Sequence, residues 1–232
     1  ESRAERRVRE SKLPVRKTFE AFNFAFQPKL DKDLVMELAT LRFLAQGKNV
    51  LLAGMSGTGK SHIALALALL GCNANRRVLY TTSADMLARL TMGLADDTLA
   101  RALKPYTRAE LLVVDEVGLE QVERNEAMRS GLMQKVLLPR YNQRRSTVIT
   151  SNIAWESWGD YLGDHLGATA LVDRMVHHSH VIVISGPSYR DWEHKQEVAA
   201  ARGADKAKPE PAKSAAKPAA PTTSGGARRR AK

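Results

Sequence analysis

Several features that would assign a chain to a class at once are scarce in this sequence. It holds one cysteine, Cys72, among 232 residues, so no disulfide can form within the chain. Its longest apolar run, residues 63–70, is far shorter than the 18 or more residues of a membrane-spanning helix. A disulfide-stabilised fold is therefore excluded and no membrane association is expected. A lone thiol is typical of a reducing compartment, so the predicted location is the cytoplasm.

Acidic residues are scarce at the two ends of the chain. Residues 1–17 hold seven Lys or Arg and three Glu, and residues 199–232 hold nine Lys or Arg and two acids. The ends thus account for the whole net charge of +11, and residues 18–198 are formally neutral. Basic ends can bind phosphate backbones without sequence preference, and a solubilising role is the alternative for the C-terminal one.

Five short apolar runs are spaced along the neutral part of the chain, at 49–54, 77–82, 111–116, 146–152 and 180–186. Such runs are typical of strands that are covered on both faces of a sheet. Longer segments with helical periodicity separate them, at 31–46, 59–72, 83–92, 95–104, 125–143, 155–163 and 168–177. This alternation predicts an α/β fold with a parallel sheet and right-handed crossovers.

The stretch GMSGTGKS follows the first run, and its Gly54, Gly59, Lys60 and Ser61 match the phosphate-loop pattern G-x-x-x-x-G-K-[ST]. Glycines let the backbone turn its N–H groups toward phosphates, and the N-terminus of the following helix adds positive potential. The pattern predicts that Lys60 contacts the β- and γ-phosphates and that Ser61 is a ligand of Mg²⁺. ATP and Mg²⁺ are therefore the predicted cofactors.

Polar side chains end two further strands. Asp115 and Glu116 close the run LLVVDE; Asp115 is predicted to complete the Mg²⁺ shell, and Glu116 to polarise a water that attacks the γ-phosphate. A strand that simply ends in solvent is the alternative interpretation. Asn152 ends the fourth run, where ligands of open α/β sheets bind. It is predicted to orient the attacking water, with an N-cap of the helix near Trp155 as the alternative.

Three aromatic residues near the start of the neutral region, Phe22, Phe24 and Phe26, alternate as in a short extended segment. One of them is a candidate to pack against adenine, and packing in the core is the alternative.

Together with LPVRKTFEAFNF, RYNQRRSTVITSNIAWESWGD and LVDRMVHHSHVIVISGPSYR, these motifs resemble the IstB-type transposition helper ATPases. Those proteins belong to the same AAA+ branch as the DnaC-type helicase loaders. The resemblance covers residues 13–192. It implies an AAA+ P-loop NTPase with a five-stranded parallel sheet flanked by helices, a minimal lid, and nucleotide bound at the subunit interfaces of a homo-oligomer.

The resemblance also implies roles for individual residues. Arg174, in LVDRM, matches the arginine finger that reaches a neighbour's γ-phosphate, and with Glu116 and Asn152 it completes the predicted catalytic set. Arg190, in PSYR, matches a sensor that contacts nucleotide within its own subunit. From the sequence alone, each arginine would be taken for a surface charge. The predicted nucleotide contacts are Gly54, Gly57, Thr58, Gly59, Lys60, Ser61, His62 and Arg190.

The resembled family carries a helical pair between the second and third strands, which corresponds here to residues 83–104. Arg89, Arg101 and Lys104 in this pair are candidate DNA contacts, and a solvated helical face is the alternative. The predicted domains are a basic helical stub of an upstream N-terminal domain at 1–17, the AAA+ ATPase at 18–198, and a disordered basic Ala/Pro/Lys tail at 199–232.

The function implied is an ATPase of the bacterial cytoplasm that assembles on double-stranded DNA and recruits and stimulates a cognate transposase, with hydrolysis resetting the complex. The nearest alternative is a DnaC-like helicase loader that acts on single-stranded DNA. A P-loop kinase for a small metabolite and a nucleotide-gated binding module without hydrolysis are more distant alternatives.

Overall fold

The computed structural model describes residues 2–119, 126–162 and 165–206. Its centre is a sheet of five strands, namely β1 (Asn49–Gly54), β2 (Val78–Thr82), β3 (Leu111–Val117), β4 (Ser146–Ser151) and β5 (Ser179–Ile184). The strand order is β2-β3-β4-β1-β5, and every pairing is parallel. The predicted fold class is confirmed, and each strand lies within two residues of its predicted bounds.

Ten α-helices of the described residues surround this sheet. They are α1 (Arg3–Glu10), α2 (Lys32–Ala39), α3 (Arg42–Gln46), α4 (Lys60–Asn73), α5 (Ser83–Ala95), α6 (Leu99–Arg108), α7 (Glu126–Asn142), α8 (Trp158–Leu162), α9 (His165–His177) and α10 (Tyr189–Lys206). In the described part of the chain, no helix has the length and apolar content that crossing a bilayer requires.

Two hydrophobic layers cover the two faces of the sheet, because successive residues of a strand point to opposite sides. Leu112 and Val114 of β3 face one layer, to which α5, α6, α7, α8 and α9 contribute most of the other side chains. Leu111 and Val113 face the second layer, which is formed largely by α4 and α2. Each fully buried aliphatic side chain contributes about 1.5–3 kcal/mol relative to its exposed state, so both layers stabilise the sheet.

Two segments differ locally from the sequence-based prediction. The predicted helix 31–46 is divided into α2 and α3, since Leu41 has a φ of +60° and this left-handed conformation interrupts the helical hydrogen bonds. Phe24–Phe26 form a single 3₁₀ turn instead of an extended segment. The Asn23 side chain accepts a hydrogen bond from the Phe26 N–H at 3.2 Å and so favours the turn.

The N-terminal helix packs on the sheet and its helices, although residues 1–17 were predicted to be separate from them. Val8 of α1 contacts the layer around α4. The carbonyl of Ser11 accepts a hydrogen bond from the N–H of Tyr80 at 2.8 Å, and the Cys72 thiol donates to the carbonyl of Arg7 at 3.6 Å. These contacts make the segment part of the compact unit that extends to Glu193.

The second compact unit begins at His194. Its described part, residues 194–206, is helical and belongs to α10. Residues 199–206 were assigned to the disordered tail from the sequence, and the structure instead has them as the end of this helix. The remainder of the predicted tail, 207–232, lies outside the described residues.

A buried arginine joins α7, α6 and β4. The Arg140 guanidinium is 1% exposed and donates to the carbonyls of Tyr106 at 2.6 Å, Ala109 at 2.8 Å and Ser146 at 2.5 Å, and to the Thr147 hydroxyl at 3.0 Å. Burial lowers the pKa of Arg140 to about 9. The carbonyls at the end of α6 thus gain a donor that the helix itself cannot supply.

Candidate nucleotide site

The phosphate-binding motif lies in the turn between the carboxyl end of β1 and the start of α4. Gly54, Gly57 and Gly59 have φ values of +147°, +78° and +100°, which residues with a Cβ rarely adopt. A Cβ at Gly57 would lie 2.1 Å from Ser188 Oγ, and one at Gly59 would lie 2.7 Å from Phe22 Cε2. Backbone conformation and close packing therefore both require glycine at these two positions.

Lys60 is folded back over this loop. Its Nζ donates to the carbonyls of Gly54 at 2.8 Å and Met55 at 2.7 Å, and the side chain is 5% exposed. The Thr58 hydroxyl donates to the same Met55 carbonyl at 2.9 Å. Burial lowers the pKa of Lys60 to about 8, with Asp115 acting in the opposite direction. An anion placed in the loop would stabilise the charged ammonium group.

Asp115 is held by three hydroxyl groups from three separate elements. Ser61 of α4 donates to Oδ1 at 2.9 Å, Tyr80 of β2 donates to Oδ2 at 2.7 Å, and Thr150 of β4 also donates to Oδ1. The carboxylate is 2% exposed. A buried charge needs such partners, and together they fix the orientation of the carboxylate beside the phosphate loop.

Neither Tyr80 nor Thr150 was predicted as a site residue, since neither belongs to the motif that contains Asp115. The signal that could have found them is strand order: β2 and β4 are the two neighbours of β3, so their side chains flank those of β3. Burial, followed by the hydrogen bond to Asp115, raises the pKa of the Tyr80 phenol. Tyr80 therefore stays protonated and acts as a donor.

The Ser61 hydroxyl and the Asp115 carboxylate provide the oxygen ligands that suit Mg²⁺. They already lie 2.9 Å apart at the mouth of the phosphate loop. The residues present thus fit the predicted metal position. Among the described residues, no group of three or more His, Cys, Asp or Glu side chains is placed to hold a metal ion by itself.

Glu116 and Asn152 both line the cavity next to this loop. Glu116 has a φ of +64°, and its N–H donates to the Thr150 hydroxyl at 2.8 Å, so β4 holds the unusual backbone in place. The alternative interpretation of Asn152 as a helix cap is wrong, because the 3₁₀ turn at Trp155–Ser157 begins after Ala154 and has no side-chain cap.

The cavity has a volume of about 550 Å³, within the range of small-ligand sites. Its lining includes the polar side chains of Lys60, Ser61, Glu116 and Asn152. Another part of its wall is aromatic and amide-bearing and consists of Phe22, Asn23, Phe26, Gln27 and Tyr189.

Two distant segments form this wall around the loop. The N–H of Tyr189 donates to the Gly57 carbonyl at 2.9 Å, and Gln27 Nε2 donates to the Pro187 carbonyl at 2.9 Å. His62 contacts the Thr18 carbonyl through Nε2 at 2.8 Å, and burial lowers its pKa. The segment around Phe22 therefore packs directly against the predicted nucleotide contacts.

The two predicted arginines differ in position. Arg190 lies on the cavity wall and is exposed, and its positive charge contributes to the lowered pKa of the nearby Lys60. Arg174 of α9 is exposed, is absent from the cavity lining, and donates to the Ala170 carbonyl of its own helix at 2.9 Å. Within one chain, the structure brings Arg190 to the site and leaves Arg174 outside it.

The candidate DNA contacts lie on the helical pair α5–α6, which the structure places between β2 and β3 as expected. Arg89, Arg101 and Lys104 are all exposed, and none of them lines the cavity. Their role stays a prediction.

Fold and site together define an α/β protein with a P-loop nucleotide-binding site. Two solved structures share the fold: AMPPCP-bound DnaA from Aquifex aeolicus (TM-score 0.62, 18% identity, 82% of this chain) and a DnaC helicase loader (TM-score 0.54, 19% identity, 78% of this chain). The chain spans 56% of the DnaA structure and 99% of the loader structure.

The sequence comparisons are more specific. The profile of the IstB-like ATP binding protein family matches residues 1–197. The ATP-binding protein of insertion sequence IS21 from Pseudomonas aeruginosa is 39% identical over 186 residues, which is 80% of this chain and 69% of that protein. The chain therefore belongs to the IstB-like ATP binding protein family, as its motifs indicated.

Proposed function

We propose that this protein is an ATPase that assists transposition: it assembles with ATP on duplex DNA, recruits and stimulates a transposase, and is reset by hydrolysis. The observation that carries the proposal is the pair Asp115–Glu116 placed against the phosphate loop. Its context is a family whose members include ATP-binding proteins of insertion sequences.

The phosphate loop would bind the nucleotide through the backbone N–H groups of Gly57–Lys60 and the Lys60 ammonium. Ser61 and Asp115 would hold Mg²⁺, which supplies positive charge to the β- and γ-phosphates. The Ser61–Asp115 hydrogen bond keeps both oxygens at the loop before nucleotide arrives. Tyr80 and Thr150 hold the carboxylate from the other sides.

Glu116 is the proposed base that orients and polarises the attacking water, and Asn152 assists it from the next strand. Both face the cavity, and both come from strand ends that the sheet fixes in position. A carboxylate directly after the metal-binding Asp favours transfer of the γ-phosphate to water over transfer to a metabolite.

The position of Arg174 favours a site shared between subunits. It lies outside its own cavity, so its proposed contact is the γ-phosphate held by a neighbouring copy, while Arg190 contacts nucleotide within its own subunit. An arginine supplied by a neighbour would make the γ-phosphate a charged link between subunits, and ATP would thereby promote assembly.

The experiment that tests the proposal compares ATP hydrolysis without DNA, with duplex DNA and with single-stranded DNA. Light scattering of the same samples reports assembly. Wild-type protein is compared with Lys60→Ala and Arg174→Ala. We expect duplex DNA and ATP together to give large particles and stimulated turnover, and Arg174→Ala to bind ATP but lose turnover.

Other results would select other functions. Stimulation by single strands alone would favour a helicase loader. If the protein stays monomeric during turnover and Arg174→Ala hydrolyses ATP as fast as wild type, the site shared between subunits is refuted. ATP binding with no hydrolysis under any condition would leave a nucleotide-gated binding module.

A further inference from the structure

The turns that lead into four of the strands are rich in basic residues. Together with the helix ends Gln46 of α3 and Arg108 of α6, these turns comprise residues 46–48, 74–77, 108–110 and 143–145. They contain one acid, Glu110, and six basic residues, which we call the basic edge: Lys48, Arg76, Arg77, Arg108, Arg144 and Arg145. Residues 18–198 as a whole hold equal numbers of acidic and basic residues, so the charge is concentrated here.

The basic edge lies opposite the nucleotide site. Because all strand pairings are parallel, the amino ends of the strands share one edge of the sheet and the carboxyl ends share the other. Strands of five to seven residues separate the two edges by roughly 20 Å. Since β2, β3 and β4 are neighbours about 4.8 Å apart, their leading turns extend over roughly 10 Å.

Hydrogen bonds hold these turns together. The N–H of Glu110 donates to the Arg77 carbonyl at 2.8 Å, and Arg145 Nη1 donates to the Thr107 carbonyl at 2.9 Å. At Gly47, a Cβ would lie 2.6 Å from the Cβ of Arg144, so the turn before β1 packs tightly on the turn before β4. The basic edge therefore belongs to the rigid sheet scaffold.

Most of its charge is left for an external anion. The Glu110 carboxylate forms ion pairs with Arg76 at 3.3 Å and with Arg77 at 3.5 Å. The side chains of both arginines nevertheless remain more than half exposed, at 52% and 55%. The side chains of Arg108 and Arg144 are exposed and form no hydrogen bond or ion pair with any residue that the structure describes.

Neither of the two surface depressions along the basic edge has an aromatic side chain in its lining. One depression of about 220 Å³ is lined by Arg7, Glu10, Arg77, Val78, Leu79, Pro105, Arg108 and Ala109. Another of about 140 Å³ is lined by Leu44, Ala45, Arg76, Glu110, Arg144 and Arg145. Single-stranded nucleic acids are bound largely by stacking on aromatic side chains, so these linings favour contact with a backbone only.

We infer that the basic edge binds the phosphate backbone of duplex DNA. Guanidinium groups bind phosphate oxygens in a bidentate manner, and an array of them on a rigid surface fits a backbone without reading its bases. The inference rests on the proposed DNA-binding function and assigns it a surface. That surface includes Arg108 at the end of α6 and faces away from the ATP site, so nucleotide and DNA can be bound together.

The test uses the full chain and measures binding of a labelled 30-base-pair duplex at several NaCl concentrations. The double variant Arg108→Gln/Arg144→Gln removes two charges that hold no partner among the described residues. Lys29→Gln/Lys135→Gln is the matched control, because it removes two exposed charges elsewhere. Arg108→Lys/Arg144→Lys keeps the charge. Binding of a fluorescent ATP analogue reports whether each variant is folded.

We expect the Gln variant to lower the slope of log Kobs against log[salt] by about 1.8, since each phosphate contact contributes about 0.9. The Lys variant and the control should keep the wild-type slope, and all should bind the ATP analogue equally. The inference is overturned if the Gln variant keeps the wild-type salt slope, or if the control variant loses as much slope as the Gln variant does. In that case an acidic protein would be the better candidate for the partner of the basic edge. Wild-type protein that binds no duplex refutes the proposed function itself.

Discussion

Replacing Tyr80 by phenylalanine tests how the structure prepares the Asp115 carboxylate for Mg²⁺. The substitution keeps the ring and removes only the hydroxyl that donates to Oδ2 at 2.7 Å. Asp115 then depends on Ser61 and Thr150, both of which donate to Oδ1. Loss of the Oδ2 contact leaves the carboxylate free to rotate while it stays buried.

The expected size follows from the kind of contact that is lost. Residues that orient a metal ligand typically change metal affinity about 10–100-fold when they are mutated. Because two of the three donors to Asp115 remain, we expect a rise at the lower end, about ten-fold, in the Mg²⁺ concentration that half-saturates the nucleotide complex. Nucleotide binding in EDTA should not change.

The assay titrates Mg²⁺ into protein with a fluorescent, non-hydrolysable ATP analogue, and Mn²⁺ bound to the same complex is counted by electron paramagnetic resonance. Tyr106→Phe serves as the control, since Tyr106 is a buried tyrosine on α6 in the other packing layer. Equal Mg²⁺ dependence in Tyr80→Phe and wild type would refute the reasoning. Weakened binding in EDTA would show instead that the cavity had been damaged.

Three further predictions follow from other parts of the chain. The pKa of Lys60 is about 8 without nucleotide, and phosphates favour the charged ammonium form, so nucleotide binding at pH 8 should take up about half a proton. Calorimetry in buffers of different ionisation enthalpy would measure this proton uptake. A binding enthalpy that is the same in all buffers would contradict the prediction. Replacing Arg140 by Met leaves three buried carbonyls without their donor and should lower the free energy of unfolding by at least about 3 kcal/mol, measured by urea titration. A loss under about 1 kcal/mol would show that the hydrogen bonds of Arg140 are dispensable for stability. Deleting residues 199–232 should reduce the salt slope of DNA binding and leave nucleotide binding intact, and an unchanged slope would exclude a role of the tail in DNA binding.

Local features of the sequence were sufficient to predict the strands and the phosphate loop that position the site. The strands β1, β3 and β4 are buried on both faces, which gives them a recognisable apolar run, whereas β5 at the edge of the sheet exposes Val181 and Val183. The phosphate loop is equally local, because glycine conformation and the start of a helix depend on adjacent residues. The division of helix 31–46 at Leu41 was missed, since nothing in its side chain requires a left-handed backbone.

The sequence by itself thus determined the α/β class, the phosphate loop and the acids beside it, because each depends on neighbouring residues and on periodic burial. Tertiary structure decided which distant side chains complete the site: Tyr80 and Thr150 reach Asp115 only because β2 and β4 flank β3. It also separated the charges, since parallel pairing gathers the basic turns before the strands at one edge of the sheet and the proposed catalytic residues at the other. Strand order is set by packing across the whole chain, and no short stretch of sequence contains it.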